Sequence, residues 1–404
     1  MPKQQVARRA QLRFLRPPKI AWGPVERGLL RAAGIDDLRL LARKRVPKVF
    51  FDYTDGASDS ETSLLRARQS FARMEFQPSV LCDVSELDTT RTILGKESKL
   101  PFALAPTGFT RVMHADGEPA VASVAQQFGI PYSLSTLGTT SMADVRAAAP
   151  DGRHWFQLYF AQDRGLVKEL LAQAAEAGFD TVLVTLDTPI AVPRRRDIRN
   201  GLTIPPSMSL GTLLEACTHP GWWYNQIRAG RPGPAVLAAT GGTAPDMIKR
   251  VFNPSLSVDD LDWLRGAWSG SLVAKGVQSV ADAKRVADVG VDGVWLSTHG
   301  GRKLDRAPVP IEILPSVVDE VGERAEVFVD TGITSGADIV AAIAMGASAA
   351  VVGRAYLYGL MAGGRRGVVK AMEILQREIE TTMKLLGVNS VAELNRSHVR
   401  LRNV

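Results

Sequence analysis

A (β/α)8 barrel is the fold this sequence predicts, with a helical extension before it and a long insertion after its fourth strand. Three observations predict it. From residue 100 onward, short apolar runs alternate with amphipathic stretches of helical length, the pattern of βα units around a parallel sheet. The apolar runs number eight, each reading as a strand buried on both faces, and eight parallel strands close a barrel. A dinucleotide-binding glycine fingerprint is missing, which disfavours the alternative, a doubly wound open sheet.

The elements follow in order. Residues 1–34 form a basic arm: Lys3, Arg8, Arg9, Arg13, Arg16, Lys19, Arg27 and Arg31 stand against one acid, Glu26. It reads as a solvated arm or as a segment that meets an anionic membrane face or an acidic partner. Residues 35–99 read as a helical cap segment, with helices over 35–48 and 59–73. In the second, Leu64, Leu65, Ala67, Phe71 and Ala72 are roughly periodic. The barrel occupies 100–400. Its strands are expected at 101–105, 130–135, 155–159, 181–187, 271–275, 293–298, 326–330 and 349–353. Helical patterns follow near 117–128, 141–149, 164–177, 279–289, 311–321, 336–345 and 365–386. Between strands 4 and 5 the rhythm breaks, and 188–256 reads as a long loop insertion. It begins rich in Arg and Pro, passes Trp222, Trp223 and Tyr224, and enters a Gly/Pro/Ala-rich tract. A helix resumes near Ser257, where Ser257 and Asp260 have capping-box spacing. Insertions on this face of a barrel sit above the strand ends that build active sites.

Composition bounds the function. The chain has 404 residues, 45% hydrophobic and 23% charged, with a formal net charge of +7. That is globular composition with ample core material. No run of 18 uncharged apolar residues appears, and the basic N-terminus lacks an apolar signal core, so a membrane span and export are not expected. Cys82 and Cys217 have no metal-type or CxxC spacing, which fits a reducing cytoplasm. No metal site is expected. Basic-aromatic interleaving is lacking too, so nucleic acid is not an expected partner.

Candidate chemistry gathers at the strand ends. Strand 6 leads into Ser297-Thr298-His299-Gly300-Gly301-Arg302-Lys303. A His and an Arg three residues apart suit a base beside a carboxylate clamp, because His titrates near neutrality and Arg offers a bidentate fork. Strand 4 leads into Asp187, able to orient and charge-stabilise that base, and then into Arg194, Arg195 and Arg196. Two of these three arginines are expected to be solvated. Strand 5 ends in Lys275-Gly276; a Lys in a barrel mouth needs an anion, such as a reduced flavin, or serves as a Schiff base. Strands 7 and 8 lead into Asp330-Thr331-Gly332 and Gly353-Arg354, where barrels hold phosphate.

With these residues in place, the sequence resembles the FMN-dependent L-2-hydroxy acid dehydrogenases and oxidases over about 35–400, nearest in texture to respiratory L-lactate dehydrogenases. The shared stretches include Phe51 to Ala57, Ala105-Pro106-Thr107-Gly108, Ser133 to Leu137, Phe156-Gln157-Leu158-Tyr159, 185–189, Lys275-Gly276, the His299 loop and Gly353-Arg354. The resemblance implies His299 as base with Asp187 behind it. It implies Arg302 and Arg194 on the substrate carboxylate, Tyr53 and Tyr159 bonded to substrate, and Lys275 beside the flavin. It implies Pro106, Thr107, Gly108, Ser135, Gln157, Thr185 and Ser297 around the flavin ring, and Asp330, Gly332, Gly353 and Arg354 at the ribityl phosphate. It also implies FMN as cofactor, a small L-2-hydroxy acid as substrate, L-lactate first, quinone or another carrier as electron acceptor, and a homotetramer.

The chain departs from the family in places. The family reads Ser-Asn-His-Gly-x-Arg-Gln in the His loop, where this chain has Thr298 and Lys303. It reads Asp-Gly-Gly followed by an Arg two residues later on strand 7, where this chain has Thr331 and Thr334. Leu137 stands where glycolate oxidases carry a bulky aromatic. Other readings stay open: a relative acting on a larger or peptide-derived hydroxy or amino acid, an oxygen-using oxidase, and a cofactor-free barrel. Within 207–256, Trp222, Trp223 and Tyr224, with Leu210, Leu213, Leu214, Arg228, Arg231, Lys249 and Arg250, read either as a lid or as a patch that holds the enzyme peripherally on the inner membrane face.

Overall fold

Eight parallel strands close on themselves in chain order: Phe102–Leu104, Tyr132–Ser135, His154–Tyr159, Thr181–Thr185, Ser271–Val277, Gly293–Leu296, Glu326–Val329 and Ala349–Val352. The last pairs with the first, Val351 opposite Ala103 and Val352 opposite Leu104, which shuts the ring. The computed structural model describes residues 23–402 apart from 193, 203–214, 216, 231–232, 241–245 and 247–249. The expected eight strands are all present. Several end earlier than expected: Asp187, Thr298, Asp330 and Gly353 have already left the ladder for the loops. Strand 5 instead runs on to Val277 through a bulge at Gly276.

Strand alternation positions the site. Inward positions stack in layers two residues apart. The lower layer holds Trp155, Leu183, Val273, Trp295 and Phe328 against the small Ala103 and Ala349. The rings of Trp155 and Trp295 lie 6.0 and 6.4 Å from Phe328, so large aromatics fill the space that the alanines leave. Ile93, from the short hairpin of Arg91–Ile93 and Lys96–Ser98, joins this plug. Two residues further along the same strands come Gln157, Thr185, Lys275, Ser297 and Asp330. Polar groups thus emerge together above a sealed apolar plug.

The cap segment differs from its reading in one respect. The helix expected over 35–48 is two helices, Ile35–Arg45 and Lys48–Asp55, with Val46 extended between them. Pro47 causes the break, since the residue before a proline is pushed out of the helical region. The second helix carries Tyr53 to the barrel mouth. The helix Thr62–Ala72 then flanks the His299 loop. The final helix begins at Arg354 rather than near 365 and runs to Leu386, interrupted at Gly363 and Gly364. Part of the basic arm is folded: Pro24–Arg31 is a helix whose Leu29 is buried against Gly363. Lys3, Arg8, Arg9, Arg13, Arg16 and Lys19 lie outside the described residues.

The capping box at Ser257 and Asp260 forms as expected. Elsewhere in the insertion, Arg195–Arg199 and Pro220–Ala229 are helical and Ala235–Thr240 is a short 3-10 turn. Leu210, Leu213, Leu214, Arg231 and Lys249 lie outside the described residues. Trp222 corrects the reading of adjacent interfacial aromatics. It is buried, its ring stacks on Phe50 at 5.0 Å, and its Nε1 donates to the Val112 carbonyl at 3.0 Å. Gln226 donates to the Arg111 carbonyl at 2.7 Å beside it. The opposite face, Tyr224 and Ile227, is 60% and 75% exposed. No described helix is long and apolar enough to cross a membrane.

Candidate active site

A polar floor closes the barrel mouth. Ser135 Oγ donates to Gln157 Oε1 at 2.9 Å, and Gln157 Nε2 donates to Thr185 Oγ1 at 2.9 Å. Across the ring, Lys275 Nζ lies 3.4 Å from Ser297 Oγ, with the Trp295 ring 5.1 Å away. Asp330 is buried beside them, and that burial pushes its carboxyl above the usual range against the pull of Lys275. Above the floor opens a cavity of about 690 Å3, within the usual range for small-ligand sites. Pro106, Thr107, Gly108, Ser135, Gln157, Lys275 and Asp330 line its floor and one wall. Thr185 and Ser297 do not line it; they brace Gln157 and Lys275 from behind. The Thr107 hydroxyl meets Tyr356 Oη at 2.8 Å, which also donates to the Ala105 carbonyl, so the strand 1 loop is pinned to the last helix.

His299 and Asp187 come together from strands 6 and 4. His299 Nδ1 lies 3.1 and 3.2 Å from the two Asp187 carboxylate oxygens, an arrangement in which Nδ1–H donates. Nε2 is then the ring nitrogen left for substrate. Gly276 makes the approach feasible: a Cβ there would stand 2.7 Å from Asp187 Cγ, on a backbone at φ +102°. Burial, and then the charge of Lys275, pull His299 down to about 3, while Asp187 opposes them. The imidazole is therefore neutral near pH 7, with Nε2 unprotonated and facing the cavity side, and Asp187 restores part of the basicity that burial removes. Burial disfavours the Asp187 anion, yet His299 and Lys275 hold its carboxyl well below the usual range. Asp187 itself stands behind His299, out of the cavity lining.

Facing the base, two guanidiniums share one ring. Arg302 and Arg194 lie 4.8 and 4.9 Å from the Tyr53 centroid. Arg194 is 9% exposed and pairs with Asp197. Arg302 donates to the carbonyls of Tyr53 and Gly56 rather than to a carboxylate. Burial and the neighbouring Arg194 charge push Arg302 down to about 9. A buried and a half-buried cation that share one carboxylate make a strong anion site. Tyr159 stands beside them, its phenol held protonated by burial and by Asp187. Phe252, from the end of the insertion, lies 5.9 Å from the Tyr159 ring and completes the wall.

Of the three clustered arginines, Arg196 is not solvated as expected. It bridges Asp55 at 3.0 Å and Glu61, tying the insertion to the cap segment. Arg195 is exposed. At the other end of the cavity stand Gly332, Gly353 and Arg354. Arg354 donates to the carbonyls of Thr54, Gly56 and Gly300 and lines the cavity. Sequence reasoning missed Arg68. It reaches from the helix Thr62–Ala72 to the Gly332 carbonyl and to Asp338 at 2.8 Å, lining the cavity near Thr334. The missing Arg at 334 was the signal that another cation was needed. Lys303 also lines the cavity; burial pulls it down to about 7, with Asp187 opposing.

The FMN-dependent dehydrogenase family model matches residues 42–401. The chain belongs to that family. It is 50% identical to a putative L-lactate dehydrogenase of Mycobacterium tuberculosis over 388 residues, covering 96% of this chain and 93% of that one. It is 38% identical to an L-lactate dehydrogenase of a Caulobacter species over 368 residues, 89% of this chain and 96% of that one. Among solved structures, the monotopic membrane protein (S)-mandelate dehydrogenase superposes with a TM-score of 0.88 at 34% identity, covering 92% of this chain and all of that one. A soluble mutant of the membrane-associated (S)-mandelate dehydrogenase from Pseudomonas putida gives 0.80 at 33%, with 92% of this chain and all of that one covered.

This FMN-dependent dehydrogenase has a site that fits its cofactor. Among the described residues the buried Lys275 ammonium donates one long hydrogen bond, to Ser297 Oγ at 3.4 Å, and lies 3.5 Å from a His299 Nδ1 whose proton already points at Asp187, so it faces the cavity as an incompletely paired cation. A flavin that gains negative charge on reduction matches it. The floor offers amide and hydroxyl groups to a polar ring edge, and Arg354 and Arg68 offer guanidiniums to a phosphate.

Proposed function

We propose that this enzyme oxidises a small L-2-hydroxy acid, L-lactate first, to the 2-oxo acid and passes the electrons to a membrane quinone. The observation that carries this reading is one cavity holding an Asp187-anchored neutral imidazole and, across from it, the Arg302–Arg194 pair on Tyr53. A base for a hydroxyl and a clamp for a carboxylate are what a 2-hydroxy acid requires.

Arg302 and Arg194 bind the carboxylate, which fixes the hydroxyl toward His299. Tyr53 and Tyr159 hydrogen-bond the bound acid. His299 Nε2 takes the hydroxyl proton, and Asp187 stabilises the imidazolium that results. Pro106, Thr107, Gly108, Ser135, Gln157 and Lys275 would hold the FMN ring, braced by Thr185 and Ser297. Gly332, Gly353 and Arg354 would hold its ribityl phosphate, while Asp330, on the floor beside Lys275 and Ser297, would meet the hydroxyls of the ribityl chain instead. When bound, FMN accepts the two electrons of the oxidation. Lys275 keeps a positive charge beside the ring. The relatives' names support lactate, and the membrane association of the mandelate dehydrogenases supports an enzyme lying on the inner membrane face. We also propose that it assembles as a homotetramer.

The test is anaerobic flavin bleaching by a panel of L- and D-lactate, glycolate and mandelate. L-lactate should bleach fastest and D-lactate should fail; preference for mandelate would move the assignment to aromatic acids. His299→Gln should keep FMN and lose roughly 10²–10⁴-fold in reduction rate. A near wild-type rate in that variant would remove His299 from the role.

A further inference from the structure

Two of the four positions where the His299 loop and the strand 7 loop leave the family pattern, Thr298 and Thr331, touch each other. Thr298 Oγ1 lies 3.2 Å from Thr331 Oγ1 and donates to it, and Thr331 Oγ1 donates onward to Asp330 Oδ1 at 2.7 Å. The same hydroxyls receive the backbone of the catalytic loop. Thr331 Oγ1 accepts from Thr298 N at 3.3 Å and from Gly300 N at 3.2 Å. Ser297 Oγ accepts from His299 N at 2.9 Å, and Thr298 Oγ1 accepts from Gly301 N at 3.2 Å. Three successive N–H groups, from 298 to 300, thus end on side-chain hydroxyls, that of Gly301 is shared between the Thr298 hydroxyl and the Thr298 carbonyl at 3.0 Å, and Thr331 receives the two that bracket His299.

The backbone explains why such receivers are needed. His299 stands at φ +56°, followed by Gly300 at +67° and Gly301 at +75°. A left-handed His persists only where its surroundings over-determine it. Thr331 is itself at φ +72°, a rare conformation for a β-branched residue. A residue with a costly backbone conformation stands at a position where the family places glycine, and its hydroxyl is fully used. We propose that Thr331 is a positioning residue for His299: it fixes the loop so that the ring keeps Nδ1 on Asp187 and Nε2 toward substrate. This rests on the reading of His299 as base.

Thr331→Val keeps the branched shape and removes the hydroxyl. We expect normal FMN content, a little-changed KM for L-lactate, and a kcat for flavin reduction lower by about 10- to 100-fold, the scale of a small misplacement of a catalytic group. Thr331→Ser should recover most of that loss. In apoprotein, carbethoxylation of His299 mapped by mass spectrometry should be faster in Thr331→Val and return toward wild type in Thr331→Ser. If the valine variant does not fold, Thr331→Gly, which relieves the backbone, carries the same expected fall in kcat. A valine variant with wild-type kcat, a loss tracking FMN loss, or a serine variant as slow as valine would overturn the role. His299→Gln run alongside separates the two assignments. If it reduces at the wild-type rate, the base reading falls and takes this role with it; if it is inactive while Thr331→Val is fast, only the Thr331 role falls.

Discussion

Asp187 Oδ1 stands 3.1 Å from His299 Nδ1, joining the ends of two barrel strands 112 residues apart in sequence. The contact raises the proton affinity of an imidazole that burial and Lys275 otherwise depress. Asp187→Asn should therefore make His299 a weaker base. Flavin reduction should slow by about 10²-fold or more, and the acid limb of kcat/KM should move to lower pH. An acid limb that moves upward in stopped-flow reduction would contradict this geometry. Stability carries the same signature. The folded-state pKa, about 3, lies below the usual 6.5. The unfolded chain therefore binds the extra proton in that window, and stability falls as pH drops from 6.5 toward 3. His299→Gln should show a smaller fall in Tm across that window.

Lys303 adds a titration nearer neutrality. Burial brings its ammonium to about 7, and Arg302, Arg194 and Lys275 push the same way against Asp187. Above that pH the cavity loses one positive charge, so KM for L-lactate should rise as pH passes through 7. Lys303→Gln should flatten that rise. A pH-independent wild-type KM would show that Lys303 does not contact the bound anion.

Arg302 does two things that a lysine cannot. It spreads over the Tyr53 ring and fastens the carbonyls of Tyr53 and Gly56 while its other edge faces the cavity. Arg302→Lys keeps the charge and loses the fork. A hydrogen bond to a charged group is worth about 1.5–3 kcal/mol, so kcat/KM should fall about 10- to 100-fold. An unchanged kcat/KM excludes the clamp.

Arg68 stands where the family's strand 7 arginine is missing, held by Asp338 and the Gly332 carbonyl. If it faces the FMN phosphate, Arg68→Ala should weaken FMN binding to apoprotein about tenfold or more in a fluorescence titration. An unchanged Kd would leave Arg354 as the guanidinium serving the phosphate.

Lys275 was legible from its place at a strand end, and Gln157 and Ser297 through the family resemblance alone; the structure supplies the physical reason they meet, since Trp155, Val273 and Trp295 point inward and so do the residues two further along each strand. What was not legible depended on partners far along the chain. Arg196 looked like a solvated loop cation because Glu61 and Asp55 lie more than a hundred residues away. Trp222, Trp223 and Tyr224 looked like one patch because they are adjacent, but neighbours on a helix point about 100° apart, so Trp222 goes inward and Tyr224 outward. Pro47 did carry a local signal for the helix break.

That helix decides how the membrane reading should be tested. Trp222 and Gln226 hold Pro220–Ala229 onto the barrel, and Tyr224 and Ile227, three residues apart, face solvent together. The membrane-facing candidates are therefore Tyr224 and Ile227 and not the tryptophan between the helix and Phe50. Full burial of one such side chain is worth about 1.5–3 kcal/mol. The double variant Tyr224→Ser, Ile227→Ser should weaken co-sedimentation with anionic vesicles at low salt by about tenfold or more and slow quinone reduction. Flavin reduction by substrate in solution should persist, since neither residue lines the cavity. Trp222→Ala, by contrast, should loosen the helix from the barrel and lower thermal stability. If the wild-type protein does not bind vesicles, or the double variant binds as well as wild type, the described part of the insertion serves the active site through Arg194, Arg196 and Phe252 and not a membrane.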